Sequence, residues 1–140
     1  MKKNILTLVL VTVLVLVTSC NRSPKAENEV VTTEITNENA KIEVIQFHSE
    51  HRCMTCNKIE ALTLETLKTY PELEFKLVNV DDTKNEKLAE SFEATGTALF
   101  LYNPKTGNKK DLTDFAFMTA GDEAKFEADL KAEIELFLKS

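Results

Sequence analysis

The chain has 140 residues, of which 43% are hydrophobic and 29% charged, and its formal net charge is -6. This length allows one domain with one core, and the composition is that of a globular protein rather than a disordered or collagen-like one. Nucleic acid is not expected as a partner, because phosphate binding needs a surface rich in Lys and Arg and the sequence has no basic run beyond its extreme N-terminus.

The N-terminus has the layout of an export signal. Two lysines follow Met1, and an apolar run from Ile5 to Val17 is interrupted only by two threonines, as in secretory signal peptides. The run is shorter than the roughly 20 apolar residues that a transmembrane helix needs. We therefore predict a signal peptide over residues 1–19.

The end of this segment, Val17-Thr18-Ser19-Cys20, resembles a bacterial lipobox. The resemblance implies cleavage before Cys20, a diacylglycerol on the thiol and an acyl group such as palmitate on the new amine, which together hold a protein stably on a bilayer. The alternative is a plain signal peptide, or an uncleaved anchor, in which Cys20 is an incidental thiol. The expected location is the bacterial cell envelope, on either membrane, with the domain outside the cytoplasm.

Residues 20–40 are predicted to be a lipidated, disordered tether. The segment consists mainly of small and polar residues, and its large apolar residues are Val30, Val31 and Ile35. It cannot bury enough apolar surface to offset the entropy of ordering. A folded domain is expected over residues 41–140.

Hydrophobic periodicity predicts the elements of this domain. An apolar run over 42–47 indicates a strand covered on both faces, and helical spacing between Cys53 and Pro71 indicates a helix. The other predicted elements follow in chain order: a strand over 73–80, a helix over 85–93, a strand over 97–102, a turn over 103–107, a strand over 109–117 and a C-terminal helix beginning near Asp122.

The order β-α-β-α-β-β-α predicts an α/β fold with a central mixed four-stranded sheet flanked by helices. A right-handed crossover makes the first two strands parallel, and the hairpin adds an antiparallel pair. Asp81 and Asp82, which end the second strand, are expected to cap the next helix. Phe115 and Phe117 are at strand spacing, which favours core positions over the wall of a substrate groove.

Cys53 and Cys56 lie where the first strand gives way to a helix. Three residues of separation on a helical turn bring both sulfurs to one end, close enough for a disulfide. The free N–H groups and dipole at a helix N-terminus favour a thiolate on Cys53, and Arg52 adds a positive charge. We expect Cys53 to attack a disulfide and Cys56 to resolve the mixed disulfide.

A strand, Cys-x-x-Cys at a helix start and the order β-α-β-β-α resemble the thioredoxin superfamily over roughly residues 41–140. Phe47, the stretch Val78-Asn79-Val80-Asp81 and the strand from Thr97 to Tyr102 look like the corresponding parts of thioredoxins. The resemblance implies a thioredoxin-like fold, exchange with the thiol or disulfide of a substrate protein, and no cofactor beyond the redox-active cysteine pair.

A narrower resemblance rests on Phe47-His48 together with Arg52-Cys53-x-Thr55-Cys56-x-x-Ile59-Glu60. This pattern is similar to the ArsF-type family of small lipoproteins, the nitrophenyl-compound nitroreductase subunits. The sequence itself offers neither a flavin site nor a nitroaromatic pocket.

Three features depart from the thioredoxin pattern. Gly96 stands where thioredoxins carry a cis-proline that presents backbone to a bound peptide and keeps metals off the cysteines. Gln46 replaces a buried Asp, and histidines replace the aromatic residues beside the motif. Gly96 and Thr97 are expected to form a substrate-facing loop.

The two histidines of the chain, His48 and His51, both lie close to the cysteines. With Arg52 they could tune the thiols, or with Cys53 and Cys56 they could complete an N2S2 metal set. In the third interpretation His48 packs against the strand end and His51 is solvated. The spacing His-x-x-His-x-Cys-x-x-Cys is not a common structural-zinc pattern, so no metal is assigned.

The favoured function is that of a membrane-tethered, extracytoplasmic thiol-disulfide oxidoreductase. Cys53 and Cys56 would be the only thiols of the mature domain, and a clip with so short a loop stabilises little, so a functional pair is favoured. We expect a monomer, with a membrane electron donor or permease as a further partner. The alternatives are a soft-metal or metalloid binder that holds copper, zinc or arsenite with the same cysteines and nearby histidines, and an interaction module that docks a permease.

Overall fold

The computed structural model describes residues 41–140. The predicted signal peptide, the tether over 20–40 and Cys20 lie outside the described residues. Within residues 41–140, none of the helices combines the length and the apolar character needed to cross a bilayer.

The described part of the chain forms four strands and four α-helices. In chain order they are β1 (Glu43–His48), α1 (Met54–Leu67), β2 (Glu74–Asn79), a 3-10 turn (Thr83–Asn85), α2 (Glu86–Ser91), β3 (Ala98–Tyr102), β4 (Lys109–Asp111), α3 (Thr113–Thr119) and α4 (Glu123–Phe137).

The four strands form one mixed sheet in the order β2-β1-β3-β4. β1 runs parallel to β2 and antiparallel to β3, and β3 and β4 form an antiparallel hairpin. The predicted α/β fold with a mixed four-stranded sheet is confirmed. Phe47 near the end of β1 is paired with Ala98 at the start of β3, so the loop after β1 and the loop before β3 meet at one edge of the sheet.

Each face of the sheet carries its own core, because successive residues of β1 point to opposite sides. Val44 packs with residues of α1 and α4, whereas Ile45 and Phe47 pack with α2. On α4 the buried residues recur at helical spacing and are Phe126, Leu130, Ile134 and Phe137. Burying each such side chain contributes about 1.5–3 kcal/mol to folding. Ile59 of α1 belongs to the same core cluster, so this core also holds α1 and its cysteine pair against the sheet.

The predicted strand over 109–117 is wrong beyond Asp111, where the chain turns into α3. A side-chain oxygen of Asp111 accepts the Thr113 N–H at 2.8 Å and opens the helix. Leu112, Ala116 and Ala120 are buried at a spacing of one helical turn. The observed order is therefore β-α-β-α-β-β-α-α.

The two phenylalanines of α3 have different environments. Phe115 packs on Phe126 with ring centroids 5.2 Å apart, whereas Phe117 is 43% exposed. A core position was expected for both, and the structure confirms contact with the core for Phe115 only. On a helix, residues two apart point in different directions, so their strand-like alternation was misleading.

The two aspartates after β2, Asp81 and Asp82, make different hydrogen bonds. Asp82 caps the 3-10 turn by accepting the Lys84 N–H at 3.1 Å, and hydrogen bonding from Lys84 holds the pKa of Asp82 below its usual range. Asp81 is not the cap that was expected. Its carboxylate accepts the backbone N–H of Glu50 at 2.7 Å and so ties the end of β2 to the loop that precedes the cysteines.

Candidate active site

Cys53 is the N-cap residue of α1, with an extended backbone at φ -79° and ψ 166°. Its sulfur accepts the backbone N–H of Cys56 at 3.2 Å, so it receives one of the free donors at the helix N-terminus. Cys53 and Cys56 form a disulfide, with Cα atoms 5.2 Å apart. This is the pairing that their spacing predicts.

The two sulfurs differ in access. Cys53 is exposed at the tip of the helix, whereas Cys56 is 5% exposed and belongs to the core. A bulky protein disulfide can therefore reach Cys53 and not Cys56. The asymmetry favours the predicted roles, in which Cys53 attacks and Cys56 resolves.

Gln46 anchors the turn that carries Cys56. Its side chain is completely buried on β1, and its Nε2 donates to the Cys56 carbonyl at 3.0 Å. Its Oε1 is buried without a hydrogen-bond partner in the described part of the chain. In the sequence Gln46 is notable only as a missing carboxylate, whereas the structure shows an amide that joins β1 to the first turn of α1.

Thr97 contacts the inner sulfur from the other side of the site. It directly precedes β3, and its hydroxyl lies 3.1 Å from the Cys56 Sγ. The predicted role for Thr97 was to face the substrate. No local sequence signal marks the observed contact, because it joins residues 41 positions apart through the pairing of β1 and β3.

The three residues predicted to tune the thiols, Arg52, His48 and His51, have different environments. Arg52 pairs with Glu60 on α1 and is 22% exposed, so its charge is partly balanced by a carboxylate instead of acting on Cys53 alone. The Nδ1 of His48 lies 2.8 Å from the Ser49 carbonyl oxygen. The His51 side chain is exposed.

The alternative metal set of Cys53, Cys56, His48 and His51 is not assembled. Over residues 41–140 there is no group of three or more His, Cys, Asp or Glu side chains arranged to hold a metal ion. The ligand set that the metal-binding alternative requires therefore has no support from the described geometry.

A cleft of about 740 Å³ lies between the segment from Phe92 to Ala98 and the segment from β4 to α3. Gly96, Thr97 and Phe115 belong to its wall. A Cβ atom added to Gly96 would meet nothing within 4 Å, so space does not demand glycine there. The predicted substrate-facing loop thus borders an open cleft, and one of its residues, Thr97, also contacts the Cys56 sulfur.

Sequence comparison agrees with this geometry, because the thioredoxin family pattern matches residues 24–133. The chain belongs to the thioredoxin family. Thioredoxin H4-2 of Oryza sativa subsp. japonica is 36% identical over 76 residues, which are 54% of this chain and 57% of that protein. The chain therefore spans little more than half the length of this relative.

Solved thioredoxin structures are similar to parts of the chain. The thioredoxin of Fasciola hepatica is 26% identical, and the match covers 56% of this chain and 70% of that one, with a TM-score of 0.42. Thioredoxin O2 from Arabidopsis thaliana in its oxidized state is 20% identical, with coverages of 52% and 62% and a TM-score of 0.43.

Membership in the thioredoxin family confirms the broad resemblance that the cysteine motif and element order predict. The narrower resemblance to ArsF-type lipoproteins stays a prediction. The expected departures from the thioredoxin pattern at Gln46 and Gly96 also stay predictions.

Proposed function

We propose that this thioredoxin-family domain is a thiol-disulfide oxidoreductase acting on a protein thiol or disulfide. The observation that carries the proposal is the Cys53–Cys56 disulfide at the start of α1, with one sulfur exposed and the other buried. Thiolates at a helix N-terminus are stabilised by free N–H groups, and only the thiolate attacks a disulfide.

The exchange is a two-electron reaction in two steps. The Cys53 thiolate attacks one sulfur of a substrate disulfide, which forms a mixed disulfide and releases one substrate thiolate. The Cys56 thiolate then attacks the Cys53 sulfur, which closes the intramolecular disulfide and releases the second substrate thiolate. The domain is oxidised by two electrons, and the substrate thiolates take up the protons that the two cysteines lose.

The test is reduction of a protein disulfide by dithiothreitol in the presence of the full chain, purified in detergent. The wild type is expected to raise the rate above the uncatalysed background, and a double variant with Cys53→Ser and Cys56→Ser is expected to leave it at background. The wild type, equilibrated with glutathione buffers, gives the reduction potential of the Cys53–Cys56 pair. Equal rates for the two proteins would refute the proposal.

We also propose that Cys20 carries lipid, so that the domain works outside the cytoplasm at the surface of a bacterial envelope membrane. The support is the lipobox-like sequence at the end of an export signal. A membrane-embedded electron donor or permease is the kind of partner that this placement suits.

Metabolic labelling with an alkyne analogue of palmitate tests the lipid anchor. The wild type is expected to be labelled, and Cys20→Ala is expected to lose nearly all label because the acylated thiol is gone. The double variant at Cys53 and Cys56 is the matched control for labelling at other thiols and should keep the label. Label on Cys20→Ala equal to that on the wild type would exclude this anchor.

A further inference from the structure

The Cys56 sulfur must become an anion during exchange, although it lies in a poorly hydrated position. At 5% exposure, a Cys56 thiolate receives little help from water, and burial of a charge without a hydrogen bond is costly. Resolution of a mixed disulfide therefore benefits from a protein group that donates a hydrogen bond to this sulfur.

Among the polar groups near the Cys56 sulfur within residues 41–140, one is a clear hydrogen-bond donor to it. The Cys56 N–H is directed to the Cys53 sulfur, and the Gln46 amide donates to the Cys56 carbonyl. The other atom of that amide, Oε1, can only accept hydrogen bonds. The hydroxyl of Thr97, 3.1 Å from the Cys56 Sγ, can donate directly to it.

We propose that Thr97 is a catalytic residue that stabilises the Cys56 thiolate, an inference that rests on the proposed oxidoreductase function. A disulfide sulfur is a weak acceptor, whereas a hydrogen bond to an ionised partner is about twice as strong as a neutral one. The contact is therefore worth more when Cys56 is ionised than when it is a neutral thiol or bonded to Cys53. It raises the fraction of Cys56 that is ionised and able to attack, and it favours departure of Cys56 as a thiolate in the reverse reaction.

The effect applies in both directions of electron flow. During reduction of a substrate, the Cys56 thiolate forms the bond to Cys53 while the bond from Cys53 to the substrate breaks, and the electron pair leaves with the substrate sulfur. In the reverse direction, a substrate thiolate attacks Cys53 and Cys56 leaves as the thiolate. Thr97 donates to the same sulfur in each case, and the Cys56 proton passes to or from the substrate thiolate through solvent.

The position of Thr97 is set by the sheet rather than by the disulfide alone. The next residue, Ala98, is paired with Phe47 of β1, and this places the Thr97 hydroxyl over the first turn of α1. Valine has nearly the shape of threonine and lacks the donor, whereas serine keeps the donor and lacks the methyl group. Thr97→Val and Thr97→Ser thus separate the hydrogen bond from the packing.

The test measures how fast the reduced full chain reacts with dithiobis(nitrobenzoate). All proteins in this test carry Cys20→Ala. The first coloured thiolate released reports attack by Cys53, and the second reports resolution by Cys56. Thr97→Val is expected to slow the second release about tenfold or more, the usual size of a lost hydrogen bond to a charged group. Thr97→Ser is expected to stay within about threefold of the wild type for both releases.

A Cys56→Ser background isolates the first step. There, Thr97→Val should form the mixed disulfide as fast as the chain with Thr97 does, because the hydroxyl donates to the Cys56 sulfur and not to the sulfur that attacks. Equal slowing of both releases would mean that Thr97 only supports the fold or the substrate, and an unchanged second release would mean that its hydroxyl is not used. Either result overturns the inference.

Two further measurements keep the outcome unambiguous. Thr97→Ala also lacks the hydroxyl and must reproduce the selective slowing if Thr97→Val is disturbed in its thermal unfolding. Protein-disulfide reduction by the wild type separates a failure of the proposed function from a failure of the Thr97 inference. If the wild type does not reduce the protein disulfide, the proposed function fails. If the wild type turns over and both hydroxyl-free variants resolve the mixed disulfide at the normal rate, only the role of Thr97 is refuted.

Discussion

Cys53→Ser is expected to abolish turnover without forming a covalent adduct, whereas Cys56→Ser is expected to abolish turnover and accumulate a mixed disulfide with the substrate. The first change removes the exposed sulfur that attacks, and the second removes the buried sulfur that resolves. With the pre-reduced protein as the reductant and no dithiothreitol present, each change should lower the rate at which the substrate disulfide is fully reduced by about a thousandfold or more, as loss of a nucleophile does. Non-reducing electrophoresis and intact-mass measurement detect the adduct.

Both variants are best compared in a Cys20→Ala background, because an unmodified Cys20 could form adducts of its own. Addition of dithiothreitol should release the substrate from Cys56→Ser and leave the mass of the free chain. An adduct on Cys53→Ser, carried by Cys56, would show that the buried sulfur is accessible and that the assigned roles are reversed.

Gln46→Glu is expected to make the free energy of unfolding strongly dependent on pH. The new carboxyl group would lie in a completely buried position and face the Cys56 carbonyl that Nε2 now contacts. Burial and the nearby carbonyl both disfavour the ionised form, so the pKa of this carboxyl group is expected to be well above that of an unfolded glutamate.

The sign of the effect follows from proton binding. Since the folded variant keeps its proton to a higher pH than the unfolded chain, its stability relative to the wild type is greatest below about pH 4, near the pKa of an unfolded glutamate, and falls as the pH rises toward the folded-state pKa. The loss reaches roughly 3 kcal/mol at pH 7 if the folded pKa is at or above neutrality. Urea unfolding between pH 4 and 8 measures it.

Two control variants isolate the buried charge. Gln46→Leu removes both polar atoms and should destabilise by about 1–2 kcal/mol with no added slope, because the Cys56 carbonyl loses its donor. Asn57 is exposed on α1, and Asn57→Asp makes the same amide-to-acid change without burial. A Gln46→Glu curve parallel to that of Asn57→Asp above pH 5 would show that position 46 is hydrated.

The elements that were predicted well are those whose periodicity is long or strong. α4 presents Phe126, Leu130, Ile134 and Phe137 at helical spacing over about three turns, and its predicted start at Asp122 is the observed N-cap. α3 has seven residues, too few for a helical period to outweigh the alternation of Phe115 and Phe117. Its helical state depends on burial against α4, which a local pattern does not contain.

The sequence by itself determined the order of most elements, the mixed sheet and the cysteine pair at a helix start, because these depend on local periodicity and on residue types at fixed spacing. Only the tertiary structure decided that Thr97 contacts Cys56, that Gln46 anchors its turn and that Asp81 binds the loop before the motif. These contacts join residues 41, 10 and 31 positions apart. They arise because the parallel pairing of β1 with β2 and the antiparallel pairing of β1 with β3 bring three chain segments to one sheet edge, a register that no single segment encodes.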